Sequence, residues 1–254
     1  MAPIDRRRFL KTVGLGAATL AAPRFLAAAD KPKRPNFVFF FTDDQTWFDV
    51  GCYGNESIRT PNVDKLAEEG MKFNAAFTGM ALCAPSRSML YTGLYPHRNG
   101  CFLNQTPALH AEKSVVHYLK PLGYAVALAG KTHIRPRSTF PFELIQHESH
   151  WTEENGQRVF VGMPVEKIDA FMREHRDEPF CLFVASHRPH APCRRETPYQ
   201  LEDVEILPRI EDTRRNRRRL TWTYGEIARA DEVFGQVLAP LDKHNLEIGR
   251  ASCR

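Results

Sequence analysis

The chain has 254 residues, enough for one domain with a substantial core, and its 43% hydrophobic and 26% charged content excludes intrinsic disorder. The formal charge of +5 gathers at Arg6, Arg7, Arg8 and Lys11 and at Arg214, Arg215, Arg217, Arg218 and Arg219. No nucleic-acid motif accompanies either run, so a nucleic-acid partner is excluded and the second run reads as a solvated helix or loop face.

Arg6 to Lys11 precede the apolar stretch Thr12 to Leu26 and the small residues Ala27, Ala28 and Ala29. That order is that of a secretory signal, and Arg-Arg-x-Phe-Leu-Lys resembles a twin-arginine signal. The expectation is export by the twin-arginine machinery to the periplasm or beyond, with cleavage after Ala29.

Asn36 to Thr42 is a continuous apolar run, as expected of a strand buried on both faces of a parallel sheet. It releases Asp43 and Asp44, adjacent carboxylates whose repulsion a hard cation such as Ca²⁺ or Mg²⁺ would relieve. Thr60 and Pro61 open a helix that Gly70 stops, with Val63, Leu66 and Ala67 facing inward. Met71 to Phe77 reads as a short strand. Cys83-Ala84-Pro85-Ser86-Arg87 opens another helix, with Pro85 at its first position and Cys83 in an electropositive mouth. Such a setting activates a thiol or holds an anion. Gly93 to Gly100 reads as a turn-rich link, with His97 a plain loop residue. Ser114 to Leu122 is a helix closed by Gly123, and Tyr124 to Ala129 is a second buried strand delivering Gly130-Lys131-Thr132-His133. A helix over Val165 to Arg173 precedes a third buried strand, Phe180 to Ser186, which ends in His187-Arg188-Pro189-His190. Thr223 to Leu241 is a long amphipathic helix. Strands alternating with helices argue a mainly parallel α/β sandwich.

Six cysteines, at 52, 83, 101, 181, 193 and 253, show no CxxC pair and no zinc spacing. They are too sparse for a disulfide scaffold, though they leave room for one bridge in an oxidising compartment. A cysteine phosphatase would need Arg six positions after Cys83, where Met89 stands.

Cys-x-Pro-Ser-Arg, Gly-Lys-Thr-His and the Asp43-Asp44 pair together resemble the type I sulfatases, over a span from about Pro35 to about Leu241. The resemblance implies an alkaline-phosphatase-like fold. It also implies that Cys83 is converted to formylglycine by a formylglycine-generating enzyme. Asp43, Asp44 and the converted Cys83 would then hold a divalent cation, Ca²⁺ in most members or else Mg²⁺. Arg87 would steady the aldehyde hydrate, and Lys131 and His133 would bind sulfate and the hydrate. His190 would face the leaving-group oxygen, ahead of His187. One hydroxyl of the hydrate attacks sulfur, the alcohol leaves with a proton, and the second hydroxyl then expels sulfate. The implied substrate is a sulfated glycan or a small sulfate ester. The stretch from Gly130 to Phe142 and Thr152-Glu153-Glu154-Asn155-Gly156 looks most like the sulfamidase branch, which acts on N-sulfated glucosamine. The alternatives are a phosphate or phosphonate monoester hydrolase of the same superfamily and a secreted protein that binds glycan or metal without turnover.

The family's second metal pair and the strand that leads to it are absent from Lys243 to Arg254. Ile248 to Arg254 back-translates to DNA resembling a sequencing adapter. The expectations are a signal over residues 1–29, the N-terminal part of a catalytic domain over 30–246, and a non-native tail over 247–254. A chain cut there is expected to be inactive or poorly folded.

Overall fold

The computed structural model describes residues 34–147, 149, 151–207 and 210–246; the expected signal (1–29) and tail (247–254) lie outside them. Four parallel strands form the central sheet in the order β1 (Phe37–Asp43), β6 (Phe180–Pro189), β2 (Ala125–Gly130) and β3 (Glu143–Ile145). In register, Phe37 lies opposite Cys181 and Ala125 opposite Phe180. Each parallel step needs a crossover: helices lie between β1 and β2 and between β3 and β6, while β2 and β3 are joined by residues 131–142, which hold no helix.

The sequence gives no polar–apolar alternation in these strands because both faces are covered. On one face Val38, Phe40, Leu182 and Val184 pack with Ile168 and Phe171 of α5 (Val165–Glu174) and with Phe234, Val237 and Leu241 of α6 (Arg214–Lys243). On the other, Phe37, Phe39, Phe41, Leu128 and Phe183 pack with Tyr91 of α2 (Cys83–Thr92) and Val116 of α4 (Val115–Leu119). Phe183 is the hub of this second layer: it stacks on Phe39 at 4.8 Å and meets Tyr91 edge-on at 5.2 Å. The result is the three-layer α/β/α sandwich, with a mainly parallel sheet, that the apolar runs imply.

Several local expectations change. Residues 71–77 form no strand. Met71, Phe73 and Phe77 are exposed, and none of these residues joins a ladder of either sheet among the described residues. Cys83, not Pro85, takes the first position of α2; Pro85 still falls in the first turn, where a missing N–H has no consequence. The link 93–100 contains a short helix, α3 (Pro96–Asn99). The helix α6 starts at Arg214, nine residues earlier than its apolar pattern alone indicates, because Thr213 caps it by accepting from the Asn216 amide at 3.2 Å. Its basic first turns lie largely in solvent, as expected, with Arg217 paired to Asp212 at 2.6 Å.

Two further features add to these expectations. Residues 151–160 fold into an antiparallel hairpin, β4 (Trp151–Glu154) and β5 (Gln157–Phe160). Its turn is Asn155-Gly156, with φ of 50° and 69°, the pair that such a two-residue turn favours. The second concerns α1 (Pro61–Glu69), where the Thr60 side chain does not cap the helix. Asp231 of α6 does so instead, accepting from the Asn62 and Val63 amides at 3.1 and 2.9 Å. Asp231→Ala is expected to lower stability by about 2 kcal/mol in urea unfolding, since it orphans two part-buried amides and removes a cap. An unchanged midpoint would contradict that role.

Candidate active site

The C-terminal ends of β1, β2 and β6 deliver polar residues to one edge of the sheet, where open α/β sheets place their sites. The Cys83 end of α2 faces that edge. At its centre Asp43, 4% exposed, is clamped by two cations. Lys131 Nζ donates to one carboxylate oxygen in a very short contact, and Arg87 Nη2 donates to the other at 3.3 Å. Arg87 Nη1 also donates to the Lys131 carbonyl at 3.3 Å. Burial alone would push the Asp43 carboxyl up. The Lys131 hydrogen bond and the Arg87 charge outweigh it and hold the group below the usual carboxylate range.

Asp43, Cys83 and His190 each place a ligand-type atom within 4.8 Å of the others. Asp44 is exposed, and its carboxylate lies 3.7 Å from His190 Nε2. It adopts φ 64°, a left-handed conformation uncommon for a residue with a side chain. The two adjacent carboxylates therefore have different surroundings. Asp43 turns inward to its cations, while Asp44 stays at the mouth. Asp43, Asp44, Cys83 and Arg87 line one side of a cavity of about 1220 Å³, with Trp47 and Tyr95 on its rim. Oxygen donors at 43 and 44, with position 83 and His190 beside them, suit a hard divalent cation.

The thiol of Cys83 is not activated. Burial raises its pKa first and the Asp43 charge adds to that, more than Lys131 offsets. The electropositive-mouth expectation therefore fails at the sulfur atom, because burial disfavours the thiolate and the Asp43 carboxylate adds to that. An unmodified thiol there stays protonated at neutral pH.

His133 follows Lys131 by two residues and takes φ 47°. Burial, then the charges of Lys131 and Arg87, push its pKa down. Its Nδ1 is buried without a partner. His133 opens toward a separate cavity of about 150 Å³, shared with Ala84, Ser88 and Asn104. The ring stacking partner of His187 is Phe160, at 4.3 Å. His187 thus sits against the hairpin, while His190 is the histidine placed beside Cys83 and Asp43.

The sequence reading missed three residues that shape this edge. Asn104 Oδ1 accepts the Ala84 amide at 3.0 Å, supplying to the first turn of α2 the cap that Leu82 cannot. Phe160 flanks both His187 and His190. Glu226 is buried on α6 and binds the arginines around the His190 loop. Only Glu226 leaves a sequence signal, a charge at 226 within the buried stripe that includes Tyr224, Ile227 and Ala230.

A parallel α/β sandwich that gathers a carboxylate pair, a helix-borne cysteine and basic residues at one strand edge makes that edge the candidate active site. The Sulfatase family profile matches residues 35–248, and the chain belongs to that family. It is 44% identical over 159 residues to an ulvan-active sulfatase of Formosa agariphila, covering 62% of this chain and 31% of that protein. It is 33% identical over 166 residues to the N-sulphoglucosamine sulphohydrolase of Homo sapiens, covering 62% of this chain and 32% of that protein. The chain thus spans about a third of the length of these relatives. Among solved structures, a protein from work on glycosaminoglycan metabolism by Bacteroides thetaiotaomicron superposes with a TM-score of 0.73 at 19% identity. That match covers 87% of this chain and 60% of that one, and at this identity the likeness is one of fold: the alkaline-phosphatase-like sandwich.

The direction at His133 gives a test. A ring held neutral in the folded state costs stability once pH falls below about 6.5, where the unfolded ring takes a proton. His133→Asn is therefore expected to shrink the loss of urea midpoint between about pH 7 and about pH 5 relative to the unaltered chain. An identical loss in both proteins would contradict the assignment.

Proposed function

We propose that the whole protein, once exported, hydrolyses sulfate esters or sulfamates on a sulfated glycan, using formylglycine made from Cys83 and a divalent cation. The observation that carries this reading is the juxtaposition of Asp43, Cys83 and His190 around a carboxylate clamped by Lys131 and Arg87. Formylglycine, as its hydrate, would supply the oxygen nucleophile that a protonated thiol cannot.

The residues of this chain would do the rest. Asp43 fixes Lys131 and Arg87 in one place. Two cations against one carboxylate leave a surplus positive charge for an anionic ester, where preorganised charge has most effect. Asp43 and Asp44, with position 83, would hold the cation, Ca²⁺ or Mg²⁺, which would offset developing negative charge. His133 would bind the sulfate group together with Lys131. His190, half-exposed at the mouth, would give a proton to the departing oxygen or nitrogen, a role worth about 100- to 10,000-fold. The human N-sulphoglucosamine sulphohydrolase among the relatives supports N-sulfated glucosamine as the first sugar to test, and the ulvan-active sulfatase supports a polysaccharide.

The proposal extends to place and partners. Export by the twin-arginine machinery would follow conversion by a formylglycine-generating enzyme in the cytoplasm. The 254-residue chain as written is proposed to be inactive, because its described residues provide one carboxylate pair for the cation where the family uses two.

The test is a substrate panel of N-sulfated, O-sulfated and phosphorylated sugars with both the 254-residue chain and the whole protein. Each is co-produced with a formylglycine-generating enzyme. The expected result is release of sulfate by the whole protein alone, with Lys131→Ala lowering kcat about 100-fold or more. Preference for the phosphorylated sugars would overturn the sulfatase reading, and equal activity of the two lengths would overturn the proposal about the short chain.

A further inference from the structure

The loop that carries His190 is held from behind by one buried carboxylate. Glu226, on the inner face of α6, has a side chain 3% exposed. Its Oε2 accepts from Arg188 Nε at 2.8 Å, and its Oε1 accepts from the Arg194 backbone amide at 3.1 Å. Arg194 Nη1 lies 3.5 Å from Oε2, and Arg229 Nη1 donates to Oε1 at 3.1 Å. Arg188 and Arg194 bracket His190 in sequence, so both flanks of the histidine are tied to the same acid.

The network continues to the hairpin. Arg194 makes a bidentate pair with Glu154 of the hairpin, at 2.6 and 2.7 Å, and Arg194 Nη2 donates to the Phe160 carbonyl at 3.1 Å. The Phe160 ring stands edge-on to His190 with centroids 5.9 Å apart. One carboxylate thus holds the Arg188 side chain before His190 and the Arg194 backbone amide after it and, through Arg194, the strand end that carries the aromatic ring beside it. Arg188 is itself buried, so without Glu226 its guanidinium would be an uncompensated buried charge and the loop would have to move to solvate it.

We propose that Glu226 is a positioning residue for His190, holding its ring where it can protonate a departing sugar oxygen. The inference rests on the reading of His190 as the leaving-group acid. It has a consequence that a general stabilising role lacks. Proton donation matters for a poor leaving group such as a sugar alcohol and hardly at all for nitrophenolate, which leaves as an anion. Loss of the positioning should therefore discriminate between substrates by leaving group.

The experiment compares the whole protein with its Glu226→Gln variant on a sugar O-sulfate and on 4-nitrophenyl sulfate. The expected result is a kcat loss on the sugar sulfate about 10-fold or more greater than on the nitrophenyl ester, with KM little changed on either. Glu226→Asp, which keeps the charge with a shorter reach, is expected to recover part of the difference. If Glu226→Gln does not fold, Glu226→Asp carries the same comparison. Equal losses on the two esters, or no loss, would overturn the positioning role while leaving the sulfatase reading intact. An unaltered protein silent on both esters would remove the two together.

Discussion

The charge of Asp43 cannot be sustained in its buried position alone, and the arrangement of the site follows from that. A desolvated carboxylate must be neutralised or paired, and breaking such a pair typically costs about 3–5 kcal/mol. Here the partners are Lys131 and Arg87, 88 and 44 residues away in sequence. The strands β1 and β2 are not neighbours, because β6 lies between them. The clamp therefore reaches over the end of β6 and pulls the first turns of α2 onto the same edge. Cys83 stands where it does because Arg87, one turn on, is committed to Asp43.

The same constraint explains why the cysteine is unsuited to act as a thiol. Burial raises the thiol pKa, and the negative group that holds Lys131 and Arg87 raises it further. Chemistry based on thiolate would need the opposite arrangement. A site that converts its cysteine to an aldehyde has no such requirement, and the carboxylate is then free to serve lysine, arginine and a cation together.

What was legible in the sequence follows from locality. The strands beginning at Phe37, Ala125 and Phe180 were readable because burial on both faces writes an unbroken apolar run. Their polar ends marked the site edge, since a short motif such as Gly-Lys-Thr-His follows its strand directly. The raised thiol at Cys83 was not legible because the helix dipole is visible in sequence while the burial that the fold imposes on the sulfur is not. Met71 to Phe77 looked like a strand by composition, but a strand also needs a partner, and this stretch pairs with none among the described residues. The missed caps from Asp231 and Asn104, and the Glu226 hub, all join residues that the fold brings together across 20 to 169 positions. The Asn155-Gly156 hairpin is different in kind: its turn signal was present and was not used.

The central claim is that Cys83 is an aldehyde precursor clamped into a sulfatase site, not a structural or thiolate cysteine. The most direct measurement is the mass of the Cys83 peptide from protein co-produced with a formylglycine-generating enzyme. The prediction is the mass of formylglycine, with sulfur lost and an aldehyde that traps a hydrazine reagent. A peptide that retains its thiol under those conditions, in a protein that nevertheless releases sulfate, would contradict it.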